Sequence, residues 1–416
     1  MGKAEEIAAL LKKKILAGAF DEKLPSEKEL SQIFHAAPNT AGKAVRLLAE
    51  EGLVVRVHGS GTFLRLPEMR VVKVKAFDFF FNTLQEVCAA DFPEVRFQKV
   101  QNMEEADLVT VTSFFPSDYC TSLDAMPEGI WDIIAGDPRF YPRLLELHRR
   151  GRVCYGIPAF FSPVILACNR KILEKIAAPF APYELTFATL KQLLAKAAQH
   201  GFCGIDPGFF SINFLTGLIA NMPLPLNREV LQESCRLLEE FLPFFSRGSF
   251  NENKALFYLT SRHLLRMAPI PDNVPFDIMP FPGFSVDSRR CDIASEALAV
   301  NLQACGKERL WKIVLTTLKA PFQQKVAAAR YGIPLDRTLA VDTLDSSSYR
   351  DDIFFSEIKH LDFTRSRIPF PVMREIFLEY DNVMRNKMTV DEFRGRIDRT
   401  FERYEYEISR SKEYSW

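Results

Sequence analysis

Apolar positions recur at helical spacing three times in the first 50 residues and then at strand spacing. The first stretch is Ile7–Phe20. The second follows Leu24-Pro25 and repeats Leu30, Ile33 and Phe34 on one face. Ser26 and Glu29 stand ahead of it as a capping box, each side chain placed to satisfy a free amide of the first turn. The third opens on Pro38, favourable at a first helical position, and runs to Glu50. It buries Ala41, Ala44, Val45 and Leu48 and leaves Asn39, Lys43, Arg46 and Glu50 opposite. Val54–Leu64 then reads as a hairpin with Gly59-Ser60-Gly61 at its tip. Beyond the stiff break Pro67-Glu68-Met69-Arg70, Val71–Phe80 reads as a buried strand and Asn82–Ala90 as a helix. Val95–Val100 and Leu108–Thr112 are further strands, so the pattern predicts an α/β module with a largely parallel sheet. The C-terminal end turns helical, with Val372, Ile376, Tyr380 and Val383 in one stripe. A second capping box, Thr389 to Glu392, leads into Val390, Phe393, Ile397, Phe401, Tyr404 and Ile408, stripes that read as packing faces.

Three helices closed by a hairpin predict a winged helix-turn-helix, a unit that lays one helix in a DNA major groove. The candidate DNA contacts are Ser26 and Lys28 at the second helix, then Asn39, Thr40, Lys43 and Arg46 on the third. Arg56, His58, Gly59, Ser60 and Gly61 follow at the hairpin. Lys and Arg suit phosphates or guanine edges, Asn suits adenine, and the glycines allow close backbone approach. Charge adds little: 53 basic residues balance 53 acidic ones, and residues 1–66 hold ten Lys and Arg against eight Asp and Glu. So mild a bias favours a dimer, in which two heads add their contacts.

These motifs carry a resemblance. Leu24 to Leu30, Pro38 to Leu48, Glu51-Gly52-Leu53 and Gly59-Ser60-Gly61-Thr62-Phe63 resemble, in order, the winged helix of GntR-family bacterial transcription regulators. Most members place Ser-Arg where Ala37-Pro38 stands and an Arg where Gly42 stands. Pro38-Asn39-Thr40 resembles a branch that uses Pro-Asn-Thr, with Lys43 offering a cation one position on from Gly42. Glycine within a helix costs about 1 kcal/mol relative to alanine.

A second resemblance covers residues 71–416. Tyr155-Gly156-Ile157-Pro158, an apolar strand, and Asn169-Arg170-Lys171-Ile172-Leu173 are similar to segments of family 1 extracellular solute-binding proteins, the sugar receptors of ABC importers. Pro182 to Leu190, Phe276 to Gly283, Ala294–Val300, Tyr331-Gly332-Ile333-Pro334 and Thr389 to Glu392 continue the match in order. The resemblance implies a multidomain chain: a small α+β winged helix over 1–67, then a two-lobed α/β, periplasmic-binding-protein-like clamp over 70–416. Lobe one would hold about 71–157 and 292–340, and lobe two about 158–291 and 341–416. Joined to a winged helix, such a clamp would sense a small molecule, most simply a sugar or oligosaccharide, and alter operator binding.

Cleft candidates follow from chemistry. Sugar C–H faces stack on aromatic rings and hydroxyls need charged partners, while ligands of open α/β sheets lie beyond strand ends. The aromatic doublets Phe80-Phe81, Phe114-Phe115, Phe160-Phe161 and Phe209-Phe210 and the polar residues Asp118, Asp206, Arg262 and Glu296 fit that description. The chain has 36 Phe, many needed for a core, and only three Trp.

Catalysis finds little support. The six histidines make no HExxH, the eight cysteines no CxxC or zinc spacing, and no P-loop or GxSxG elbow is present. No metal and no cofactor is expected. An enzyme-like rival is the GntR architecture with an aminotransferase-like pyridoxal-phosphate domain, for which only Ser356-Glu357-Ile358-Lys359 has the spacing. A third reading is a DNA-bound interaction module whose clamp holds no ligand. No apolar leader and no 18-residue apolar run occurs, so a cytoplasmic protein without membrane contact is expected.

Overall fold

The computed structural model describes residues 2–16, 20, 23–57, 59–64, 71–112, 122–150, 153–179, 181–208, 211–223, 227–341, 350–363, 368 and 370–413. The chain divides into two compact units, Met1–Ala106 and Asp107–Trp416.

The first unit opens with α1 (Lys3–Leu16), α2 (Glu27–Ile33) and α3 (Pro38–Glu50), followed by the antiparallel hairpin β1 (Val54–Val57) and β2 (Gly61–Leu64). Ile7, Leu11, Leu24, Leu30, Ala41, Ala44, Val45, Leu48, Val54 and Leu64 close one small core. Ile33, expected on the buried face, is exposed, because α2 ends there and Phe34 turns in to cover the core in its place. A parallel βαβ unit completes the first unit: β3 (Val71–Lys75), α4 (Asp78–Asp91) and β4 (Arg96–Lys99). Here the strand expected to reach Phe80 stops at Lys75, and Phe79 to Phe81 lie in α4. An apolar run reads equally as buried strand or buried helix. Asp78 in the first turn, where a negative charge complements the helix dipole, favours the helix.

In the second unit β5 (Leu108–Thr112), β8 (Ile157–Asn169), β9 (Cys203–Asp206), β10 (Ala255–Ser261) and β12 (Ile293–Val300) form a sheet in the order β5-β12-β8-β10-β9. The strands β6 (Arg149–Arg150) and β7 (Val153–Cys154) make a separate short hairpin, while β11 (Phe276–Pro280) and β13 (Ile333–Pro334) both pair with β8. The sheet is mixed. β8 runs antiparallel to all four of its neighbours and β12 runs antiparallel to β5. The expectation of a largely parallel sheet fails because successive segments return against β8; parallel pairing occurs where helices cross over, at β3–β4 and β9–β10.

β8 organises this unit. All 13 of its residues are buried, as its nearly unbroken apolar sequence requires of a strand covered on both faces. Its first half pairs with β12 and β13, its second half with β10 and β11. The exchange falls at Pro163, which has no amide hydrogen; next to it, Val164 donates to Asp292 O at 2.9 Å. The helices Phe187–Gln199, Ile212–Asn221 and Arg228–Phe241 cover the β9–β10 end. The C-terminal helices Phe370–Met384 and Val390–Glu413 bury Val372, Ile376, Tyr380, Val383, Phe393 and Ile397 in the same core. The Thr389–Glu392 capping box is formed.

Candidate functional site

The winged helix places its candidate residues by local chemistry. At the start of α2 the Ser26 hydroxyl donates to Glu29 Oε2 at 2.8 Å and accepts from the Glu29 amide at 3.3 Å. Ser26 is thus engaged in its own cap, and these bonds hold the Glu29 carboxyl below its ordinary range. On α3 the apolar face is sealed while Asn39, Lys43 and Arg46 are exposed and Thr40 is half-buried. Lys28, Ser60 and Arg56 are exposed as well. Gly59 and Gly61 have φ of 75° and 117°, a conformation that favours glycine. At Gly61 a methyl group would stand 2.6 Å from Lys23 Cε, and the Lys23 ammonium lies 5.3 Å from the Phe63 ring centre. His58 lies outside the described residues.

Two residues outside the sequence-based set shape this surface: Lys23 and Glu27. The Glu27 carboxylate accepts from the Arg56 guanidinium of β1 and lies against Gly42 of α3. The only sequence sign of that approach is a glycine in mid-helix.

The second unit brings three cleft candidates together around β8. Phe160 is fully buried, edge-on to Tyr331 at 5.1 Å and tilted against His263 at 5.6 Å. Gly332, at φ 82°, lies directly against its ring. Arg262 is 2% exposed; its Nε and Nη2 donate to Asp351 Oδ1 and Oδ2 at 2.9 and 3.0 Å, and its Nη1 donates to Gly332 O. Its backbone amide donates to Ser162 Oγ at 2.9 Å. Because Gly332 borders β13 and Arg262 follows β10, this side chain ties the partner of the first half of β8 to the partner of the second.

Glu296 sits on β12 opposite Phe160, at an irregularity where Ala297 faces Pro158 and Ala159 is left over, a β-bulge. It is buried, and its Oε1 has no hydrogen-bond partner among the described residues. Burial pushes its carboxyl up to about 7 against the opposing pull of the Thr110 hydroxyl. Burial likewise pushes the His263 imidazole down to about 4, so it is neutral in the fold.

The other candidates are placed elsewhere. Phe161 is buried edge-on to Tyr141 at 5.4 Å. Asp206 accepts from the amides of Gly208 and Phe250, each at 3.1 Å, which pins a loop. Phe80 is buried in α4 and Phe81 half-buried beside it. Phe114, Phe115, Asp118, Phe209 and Phe210 lie outside the described residues. No group of three or more metal-ligating side chains occurs among the described residues. No described helix is long and apolar enough to cross a membrane.

The model of the family "Bacterial regulatory proteins, gntR family" matches residues 3–64. Over 62 residues the chain is 39% identical to the HTH-type transcriptional repressor YtrA of Bacillus subtilis, 14% of this chain and 48% of that protein. The chain thus spans about half the length of the curated relative it matches. Among solved structures it is similar to the ABC substrate-binding protein Lmo0181 from Listeria monocytogenes in complex with cycloalternan, with a TM-score of 0.61 at 12% identity, covering 80% of this chain and 97% of that one. Maltose-bound MalE3 of T. maritima gives 0.61 at 11% identity, covering 80% and 99%. The sugar-binding protein MalE from Xanthomonas citri gives 0.58 at 14%, covering 82% and 99%. That likeness removes the aminotransferase-like alternative, which needs another fold; Lys359, its Schiff-base candidate, is exposed. Residues 3–64 are a GntR-family helix-turn-helix domain homologous to that of YtrA, and the rest of the chain has the two-lobed α/β fold of the ABC sugar-binding proteins.

Proposed function

We propose that this chain is a ligand-responsive transcriptional regulator of the cytoplasm, a binding protein and not an enzyme. The observation that carries the reading is the fusion itself: a GntR-type head in one chain with a sugar-binding-protein fold. The division falls at about 1–67 and 70–416. Two copies dock on operator DNA through Asn39, Thr40, Lys43 and Arg46 of the recognition helix, flanked by Lys28, Arg56, Gly59, Ser60 and Gly61. The clamp closes on a small solute, and a carbohydrate is the first class to test because the solved relatives include proteins bound to cycloalternan and maltose. β8, shared between two sets of strand partners, is the natural pivot for such closure.

Thermal shift of the full chain against mono- and oligosaccharides, with amino acids and polyamines as controls, tests the sensor. A bound solute raises the melting temperature with occupancy. A sugar-specific rise supports the reading, and its effector role then requires operator affinity to change about 5- to 150-fold on adding that sugar. A rise with another solute class keeps the sensor and discards the sugar.

One observation favours a second reading, an interaction module without a ligand. Phe160, Phe161 and Arg262 are buried and engaged with their own chain. Absence of any shift, together with retained DNA binding, would support it.

A further inference from the structure

The carboxylate of Glu27 is in an unusual place. It projects from the first residue of α2 onto the backbone of α3 at Gly42, where a methyl group would stand 2.8 Å from its Oε2 and 3.1 Å from its Cδ. Position 42 lies three residues after Asn39 and four before Arg46, so all three share one side of α3, the side that holds the exposed polar residues. The same carboxylate accepts from the guanidinium of Arg56, which comes from β1 of the wing. Three elements therefore meet at one point on the candidate DNA-reading face, where the absence of a side chain at residue 42 lets the carboxylate lie against α3.

Stability does not explain the arrangement. Both partners are about half exposed, at 45% and 38%, and exposed ion pairs add little to folding. A glycine in mid-helix lowers helix stability relative to alanine. A carboxylate on a surface that must approach phosphates is also unfavourable unless a cation neutralises it.

We propose that Glu27 and Arg56 form a positioning pair that sets base selectivity, with Glu27 holding the wing's guanidinium beside the recognition helix over Gly42. This rests on the DNA-binding reading above. Arg56 thereby supplies, from the wing, a cation beside the recognition helix. Glu27 fixes where that cation stands, and Arg56 masks the charge of Glu27. The two residues are therefore coupled in DNA binding with opposite signs. Removing Glu27 frees Arg56 for any phosphate, while removing Arg56 exposes an unmasked carboxylate to the DNA.

The test uses the full chain and 30-base-pair duplexes enriched by the wild type from a randomised pool, their single-base variants, and an unrelated duplex of equal length. With Glu27→Gln the preference for the enriched duplex over the unrelated one falls about tenfold, one mispositioned base contact, while affinity for the unrelated duplex is kept or raised. Arg56→Ala weakens binding to both duplexes, and the double variant recovers part of that loss. Gly42→Ala displaces the carboxylate and reproduces the selectivity loss of Glu27→Gln. Melting temperatures confirm that each variant is folded. Additive losses for Glu27→Gln and Arg56→Ala, or an unchanged base preference in Glu27→Gln and Gly42→Ala, would overturn the proposal. Failure of the wild type to enrich any duplex would instead refute the DNA-binding reading on which it stands.

Discussion

Arg262 and Asp351 are a buried bidentate ion pair: both carboxylate oxygens are engaged, and the third guanidinium nitrogen donates to Gly332 O. Breaking such a pair from one side leaves an uncompensated charge, so Asp351→Ala is expected to cost about 3–5 kcal/mol, whereas replacing both residues by apolar ones of similar volume is expected to cost far less. Urea unfolding of the two variants measures the difference. Glu296 gives a pH-dependent prediction. Its folded-state value of about 7 lies above the ordinary carboxyl value of 4.5, so the native state holds a proton that the unfolded chain releases. The associated stability is fully present below pH 4.5 and is lost as pH rises to about 7. Glu296→Gln removes that loss, so its advantage over the wild type grows across this window to on the order of 3 kcal/mol. Melting temperatures of both proteins between pH 4.5 and 8 check it, and a constant difference would contradict the assignment. His263, neutral down to about 4, contributes the opposite slope below pH 6.5 in both proteins and cancels from the comparison.

At the scale of elements, the capping boxes and the α3 face were legible because they rest on contacts within a few residues. Ser26 and Glu29, and Thr389 and Glu392, make the reciprocal bonds that their spacing implies. Thr389→Ala should cost about 1 kcal/mol, read as a lower melting temperature. Arg46→Ala, on the exposed face of α3, should leave the melting temperature unchanged. In gel-shift titrations it should weaken binding to all duplexes and lower the slope of log affinity against log salt by about one. An unchanged affinity would remove Arg46 from the interface. The β8 register is a different matter. Its sequence shows an apolar run, but which half pairs with β12 and which with β10 depends on strands about 90 to 140 residues away in sequence. Gly332 marks one tight long-range fit against β8. At φ 82° and against the Phe160 ring, Gly332→Ala is strained twice over and should destabilise the fold by about 1–3 kcal/mol, again read by urea unfolding.

Taken as a whole, the molecule joins a GntR-type head to a sugar-binding-protein fold at 11–14% identity to its structural relatives, and both halves left marks in the sequence. The marks differ in kind. Leu24 to Leu30 and Gly59 to Phe63 are contiguous motifs whose meaning lies in their own backbone geometry. Tyr155-Gly156-Ile157-Pro158, Phe276 to Gly283 and Tyr331 to Pro334 are scattered pieces that the fold assembles around β8, since β11 and β13 both pair with it. The candidate cleft was less legible than either. Residue type alone cannot separate a Phe that stacks on a ligand from one that fills a core, and Phe160 and Phe161 are in the core. Nor can it separate a guanidinium open to a solute from one already held, and Arg262 is held by Asp351, 89 residues away. The helices, caps and wing of the head were written in the chain itself, because periodicity, capping and turn glycines act over a few residues, while the second fold showed there only through its resemblance to solute-binding proteins. The direction of the sheet, the helix at Phe79 to Phe81, the meeting of Glu27 with Arg56 over Gly42, and the burial of Phe160, Phe161, Arg262 and Glu296 came only with the folded chain. Those outcomes depend on which distant segments come to share one place.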